Sequence, residues 1–163
     1  MLGRDYTGQT CSIARTLEVI GERWTMLIVR DVFLGLRRFD DIQGDLGVAR
    51  NVLASRLERL VEAGVLEKAP YQQRPTRYEY RLTDKGRDLW PLLIELVNWG
   101  DRHAPAPGGP PVVYRHRGCG GPLGNGRQCG ACGAVLERGE ILVEAGPGAT
   151  ADHPIHRRIA ASG

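Results

Sequence analysis

The chain has no long hydrophobic run. No stretch approaches the ~20 apolar residues that a membrane-spanning helix requires, so no helical span is expected. The opening residues, MLGRDYTGQTCSIAR, lack the basic-then-apolar order of a secretory signal, and a cytoplasmic protein is expected. There is no internal repeat, no long low-complexity tract and no recognisable nucleotide-binding loop. Cysteine is scarce, with four residues in 163. In a cytoplasmic chain those four are better candidates for metal ligation or redox chemistry than for structural disulfides. The net charge of +3 excludes little, so the placement of charge matters more than its sum.

What is present divides the chain in two. Hydrophobic residues make up 42%, enough for a packed core. Up to about residue 104 the pattern is periodic and helix-rich. The stretch APAPGGPP at 104–111 cannot hold a helix or a central strand, and residues 105–111 are expected to be a linker. Short, glycine-crowded segments follow at 112–145, and 146–163 reads as a flexible tail. The expected fold is α+β: a winged helix-turn-helix domain, then a small zinc-ribbon-like β unit.

In the first part SIARTLEVIG, ERWTMLIVRDVFLG, FDDIQGDLG and VARNVLASRLERLVEAG read as four helices. VLEKAP and TRYEYRLT read as two strands around a polar loop, YQQRP. TDKGRDLWPLLIELVNWGDRH reads as one long closing helix, capped by Thr83 and kinked at Pro91. Helices three and four, joined by a short turn, form a helix-turn-helix. A hairpin directly after makes it winged. A helix of this kind enters the major groove, where base edges are distinguishable.

Charge placement agrees with that use. Lys68, Arg74, Arg77, Arg81, Lys85 and Arg87 cluster around the hairpin, against Glu79 and Asp84. Arg37 and Arg38 stand just before the third helix. In the fourth, Asn51 and Ser55 lie opposite Leu53, Leu57 and Leu60, Arg50 sits in the first turn, and Arg56 and Arg59 flank the exposed face. The candidate DNA-binding residues are therefore Arg37, Arg38, Arg50, Asn51, Ser55, Arg56, Arg59, Arg74 and Arg77. The bland alternative for any one of these arginines is an ordinary solvated face.

CSIARTLEVIGERWTMLIVRDVFLGLRRFDDIQGDLG, LASRLERLVEAGVLEK, RYEYRLTDKG and LVNWGDRH, in this order and spacing over residues 11–103, resemble the HxlR-type winged-helix transcription regulators. The resemblance implies a homodimer, built largely from the first and last helices, that reads a palindromic operator in double-stranded DNA. It implies a repressor controlled by a redox, electrophile or other small-molecule signal. It also puts Cys11 in the place of the family's N-terminal cysteine, a redox-sensing candidate. Two departures stand out. Ser12 replaces a proline often found after that cysteine, and Ala49-Arg50-Asn51 replaces a stretch that often has a Ser or Thr cap.

Cys11 lies at the start of the first helix, where the helix N-terminus favours a thiolate, and Arg15 one turn later is expected to add to this. The competing reading is a small buried hydrophobe.

The remaining thiols are patterned. His116-x2-Cys119-Gly and Cys129-x2-Cys132-Gly are two similar half-sites, and together they make a Cys3His set suited to structural Zn2+. A disulfide and a metal-free hairpin are the alternatives, and His153 or His156 are substitutes for His116. Two other functions are weighed against a regulator. One is a protein-interaction module built on a degenerate winged helix plus ribbon. The other, an enzyme with Cys11 as nucleophile, lacks a histidine close to that cysteine in sequence.

Overall fold

In the computed structural model residues 11–161 are described. They fall into two compact units, one running up to Arg87 and the other from Asp88 onward.

The first unit is built around α2 (Thr25–Phe33). Its Ile28, Val29, Val32 and Phe33 are buried, and it packs against α3 (Phe39–Leu46), α4 (Arg50–Glu62) and the hairpin. α1 (Ser12–Ile20) precedes it and buries only Ile20. Residues 47–49 turn the chain from α3 into α4, and Leu53, Leu57 and Leu60 of α4 close the core. The spacing of these leucines gives α4 one apolar stripe and leaves the opposite face in solvent.

The hairpin pairs β1 (Leu66–Gln73) with β2 (Thr76–Leu82) in antiparallel register, from Leu66 opposite Leu82 to Gln73 opposite Thr76. The polar stretch expected as a loop thus belongs largely to β1, and the turn shrinks to Arg74–Pro75. Backbone pairing continues there because the exposed tip loses no burial by staying extended. Arg38 forms an isolated antiparallel bridge to Glu79 at the β2 edge.

The expected long closing helix is instead two helices. α5 (Asp84–Arg87) is capped by Thr83, whose hydroxyl accepts from the Gly86 N–H at 3.1 Å. α6 (Trp90–His103) starts anew with Pro91 in its first turn. Proline lacks the N–H that a continuing helix would use, but a first turn has no use for it. The expected kink is therefore a break.

The Ala49 cap of α4 has an extended backbone and no side-chain hydrogen bond. Ala49→Ser should give that cap an acceptor and raise the first unit's stability by about 1 kcal/mol. An unchanged urea midpoint would show that the first turn gains nothing from it.

The second unit joins α6 to an antiparallel pair, β3 (Val112–His116) and β4 (Ile141–Ala145). The 104–111 stretch is tied to the ribbon at its end: Pro111 and Pro110 carbonyls accept from Gly146 and Gly148 N–H groups at 2.9 and 3.2 Å. The segment expected as a tail contains α7 (Pro154–Ala160), which packs on β4 with Ile155 and Ile159 buried.

Candidate nucleic-acid interface and metal centre

The solvent face of α4 presents Asn51 and Ser55, one turn apart and both exposed. Arg50, at the helix start, lies 4.7 Å over the Phe39 ring and donates to Asp40 at 2.9 Å. That holds an exposed guanidinium at the mouth of the helix-turn-helix. Arg56 and Arg59 turn elsewhere, donating to Glu22 at 2.8 and 3.3 Å. Arg56 is held well into the surface, with 21% of its side chain exposed, while Arg59 keeps 60%.

Around the wing the cations separate into two sets. Arg81 pairs with Glu79, Arg87 with Asp84, and Lys85 donates to the Ala63 carbonyl. Lys68, Arg74, Arg77, Arg37 and Arg38 are exposed, and none has an acidic partner among the described residues. Arg38 stacks 4.4 Å over Tyr71. Neither support is expected from the sequence, where Tyr71 falls in the polar loop and Phe39 opens the third helix. The spacing signal for them is weak because each contact crosses between elements.

Cys11 caps α1 and is exposed. The N–H groups of Ala14 and Ile13 pull its thiol below the usual range. The expected contribution of Arg15 is not part of this, and its guanidinium donates to Ser12 Oγ at 3.3 Å.

The ligand atoms of His116, Cys119, Cys129 and Cys132 lie within 4.8 Å of one another. Cys119 Sγ is 3.2 Å from His116 Nδ1 and 3.4 Å from Cys129 Sγ, and Cys132 Sγ is 3.3 Å from His116 Nδ1. A tetrahedral site with bonds of ~2.0–2.3 Å has edges of roughly 3.3–3.8 Å, so the cluster has the size of one small cation. All three thiols are free, at a separation well beyond the ~2.05 Å of a disulfide. The two half-sites fold alike. Gly120 N–H donates to the His116 carbonyl at 2.8 Å, and Gly133 N–H to the Cys129 carbonyl at 2.9 Å. Both glycines have left-handed backbones, φ +71° and +75°, which side chains rarely adopt. A Cβ on Gly121 would sit 2.6 Å from Cys129 Sγ, so bulk is excluded beside the sulfur. The N–H groups of Cys132 and Ala131 point at Cys129 and pull its thiol down to about 6, which favours the thiolate that ligates metal. His153 and His156 lie outside this cluster, stacked on each other at 4.6 Å.

Residues 19–107 match the family model described as HxlR-like helix-turn-helix. The chain belongs to this family. A relative in Mycobacterium tuberculosis, an uncharacterised HTH-type transcriptional regulator, is 44% identical over 137 residues, 84% of this chain and 87% of that one. An alignment of that length exceeds everything up to residue 107, so it runs into the cysteine-bearing unit. The crystal structure of PA1607, described as a transcription factor, is 43% identical with a TM-score of 0.66, covering 83% of this chain and 94% of that one. The redox regulator HypR in its oxidised form is 28% identical with a TM-score of 0.55, covering 59% of this chain and all of HypR. The HxlR-like unit here has the architecture of a DNA-binding transcriptional regulator. Among the described residues no helix is long and apolar enough to cross a membrane.

Proposed function

We propose that the protein is a homodimeric, cytoplasmic repressor that binds a two-fold symmetric operator through α4 and the wing. The supporting observation is the cationic surface left free by ion pairing. Arg37, Arg38, Lys68, Arg74 and Arg77 have no acidic partner among the described residues, and they lie in the same unit as the exposed Asn51–Ser55 face. Arg37, Arg38, Arg74 and Arg77 serve phosphates. Arg50, Asn51 and Ser55 face bases. Arg56 and Arg59, tied to Glu22, act at the margin. Dimerisation suits two apolar stripes left in solvent, Ile13 and Leu17 on α1 and Leu92, Leu96 and Trp99 on α6. The Cys3His cluster holds structural Zn2+, since four protein ligands leave no open position for chemistry.

The signal assigned to this regulator is oxidation or alkylation of Cys11, and a small-molecule effector is the alternative. The thiol is exposed, its thiolate is favoured by two amides, and it sits on the same helix as the α1 stripe.

The deciding experiment titrates DNA from upstream of the protein's own gene against a random duplex, with reduced and diamide-treated protein and zinc content followed throughout. Tight, salt-sensitive binding to the upstream DNA is expected, abolished by diamide in the wild type and retained in Cys11→Ser. Equal affinity for random DNA would overturn the operator reading. Unchanged binding after oxidation would reduce Cys11 to a helix cap.

Two substitutions separate base from phosphate contacts. Arg50→Ala should cost ~1–3 kcal/mol on the operator and relax specificity at one position. Arg74→Ala should weaken operator and random DNA alike and lower the salt slope by about one. Equal loss on both duplexes for Arg50→Ala would reject its base contact.

A further inference from the structure

The loop between the two metal half-sites does more than return the chain. Its tight turn, Asn125–Arg127, grips one face of α6 with three hydrogen bonds. Gly126 N–H donates to Glu95 Oε1 at 2.8 Å, Asn98 Nδ2 donates to the Gly124 carbonyl at 3.1 Å, and Arg102 Nη2 donates to Asn125 Oδ1 at 3.0 Å. Glu95, Asn98 and Arg102 follow one another at helical spacing, so they form a single polar row. A second face of α6 buries Leu93 and Ile94, and a third carries the exposed Leu92, Leu96 and Trp99. At the start of the helix Trp90 meets Tyr114 edge to face at 6.0 Å. Tyr114 lies on β3, the strand that delivers His116.

The gripping turn is shaped by the metal ligands. It lies between Cys119 and Cys129, whose sulfurs are 3.4 Å apart. Leu123 N–H donates to the Tyr114 carbonyl, Gly124 N–H to the Gln128 carbonyl, and Leu123 bridges to Cys129. His116 N–H also donates to the Gly121 carbonyl, Gly130 N–H to the Pro122 carbonyl and Leu136 N–H to the Arg127 carbonyl, and a coordinated ion adds to these bonds in offsetting the entropy of closing a glycine-rich segment.

We propose that the Cys3His site is a brace for α6: metal in the site holds the 124–126 turn against Glu95, Asn98 and Arg102, and so fixes the apolar stripe that α6 offers to a second copy of the chain. Metal occupancy thereby sets dimer strength. This rests on the zinc and dimer readings above, and the test separates its failure from theirs.

The 163-residue chain is compared with one equivalent of zinc and after chelation. Hydrogen exchange of the amides in 92–103 is followed by mass spectrometry, and dimer affinity by sedimentation. The double variant E95A/N98A, which leaves all four ligands in place, is measured beside it. Chelation of the wild type should speed α6 exchange and weaken the dimer, each by about tenfold or more. Zinc-loaded E95A/N98A should move both readouts in the same direction as chelation, by on the order of thirtyfold for two side-chain hydrogen bonds, while still binding one zinc; chelated wild type, whose second unit loses its staple, should go further. If E95A/N98A binds one zinc and keeps wild-type exchange and dimerisation, the brace is overturned and the zinc site stands. If the wild type takes up no zinc, both fall. If zinc-loaded wild type stays monomeric at every concentration, the dimer reading falls and takes the proposed link to dimer strength with it.

Discussion

Cys129→Ser is expected to abolish the cooperative unfolding of the second unit while leaving the first unit's transition in place. Cys129 is the buried member of the cluster, 2% exposed, and it is the sulfur toward which the Cys132 and Ala131 amides point. Serine offers a poor ligand at that position, because its hydroxyl does not ionise near neutral pH and its oxygen is smaller than the space the turn encloses. The second unit has little to fall back on. Among the described residues its buried apolar side chains beyond Cys129 are Trp90, Leu93 and Ile94 on α6 and Leu136, Ile141, Ile155 and Ile159 further on. Small units of this kind depend on a staple, and structural zinc supplies roughly 10–16 kcal/mol in the smallest metal-dependent folds. Calorimetry on the full chain should show two transitions with zinc and one after chelation, and one in Cys129→Ser under either condition. Metal analysis should find one zinc per wild-type chain and far less in the variant. A chelated wild type that keeps both transitions would show that the second unit folds on its apolar contacts alone.

The fold of the first unit was legible because its signals are local. Leu53, Leu57 and Leu60 mark the buried stripe of α4, and the alternation in TRYEYRL marks β2, whose Tyr80 and Leu82 point inward. The metal half-sites were legible for the same reason: two ligands two residues apart, with a glycine behind them, describe one turn. What escaped depends on partners distant in sequence. Arg56 and Arg59 resemble groove-facing cations on a helical wheel, yet Glu22, more than thirty residues earlier, holds both. Pro91 marks a disturbance, but the kink expected from sequence is instead a new helix start, with the proline in the first turn of α6. The polar row Glu95, Asn98 and Arg102 looks like ordinary helix surface until the 124–126 turn is laid against it. Cooperation between segments, rather than local preference, decided each of these.

Arg30→Ala is expected to destabilise the first unit by about 3–5 kcal/mol at pH 8, and by clearly less at pH 5. Arg30 Nη2 bridges two carboxylates, 2.6 Å from Asp31 Oδ1 and 2.7 Å from Asp45 Oδ2, and neither aspartate side chain has any exposure. The triad ties α2 to α3, the first helix of the helix-turn-helix. One guanidinium serves two buried charges, so burial dominates, and the Asp45 charge adds to it. The Asp31 carboxyl is pushed up to about 7 despite Arg30, and its Oδ2 is buried without a hydrogen-bond partner among the described residues. Removing the cation leaves uncompensated buried charge, whose typical cost sets the range above. The sign of the pH dependence follows from linkage. The folded pKa of Asp31 lies above its unfolded value of 3.8, so between about pH 4 and 7 the folded state holds more protons. Stability from this group is therefore greatest at low pH and is lost as pH rises through 7. Asp31→Asn keeps the shape and removes the charge. Its advantage over wild type should be near zero at pH 4 and grow to at most on the order of 4 kcal/mol above pH 7. Urea titrations at pH 4, 5, 6, 7 and 8 would follow both variants. If Asp31→Asn were less stable than wild type at pH 8, the ionised carboxylate would be earning more from Arg30 than it loses to burial. The link between α2 and α3 would then be an ordinary favourable ion pair, with no strain for neutralisation to relieve.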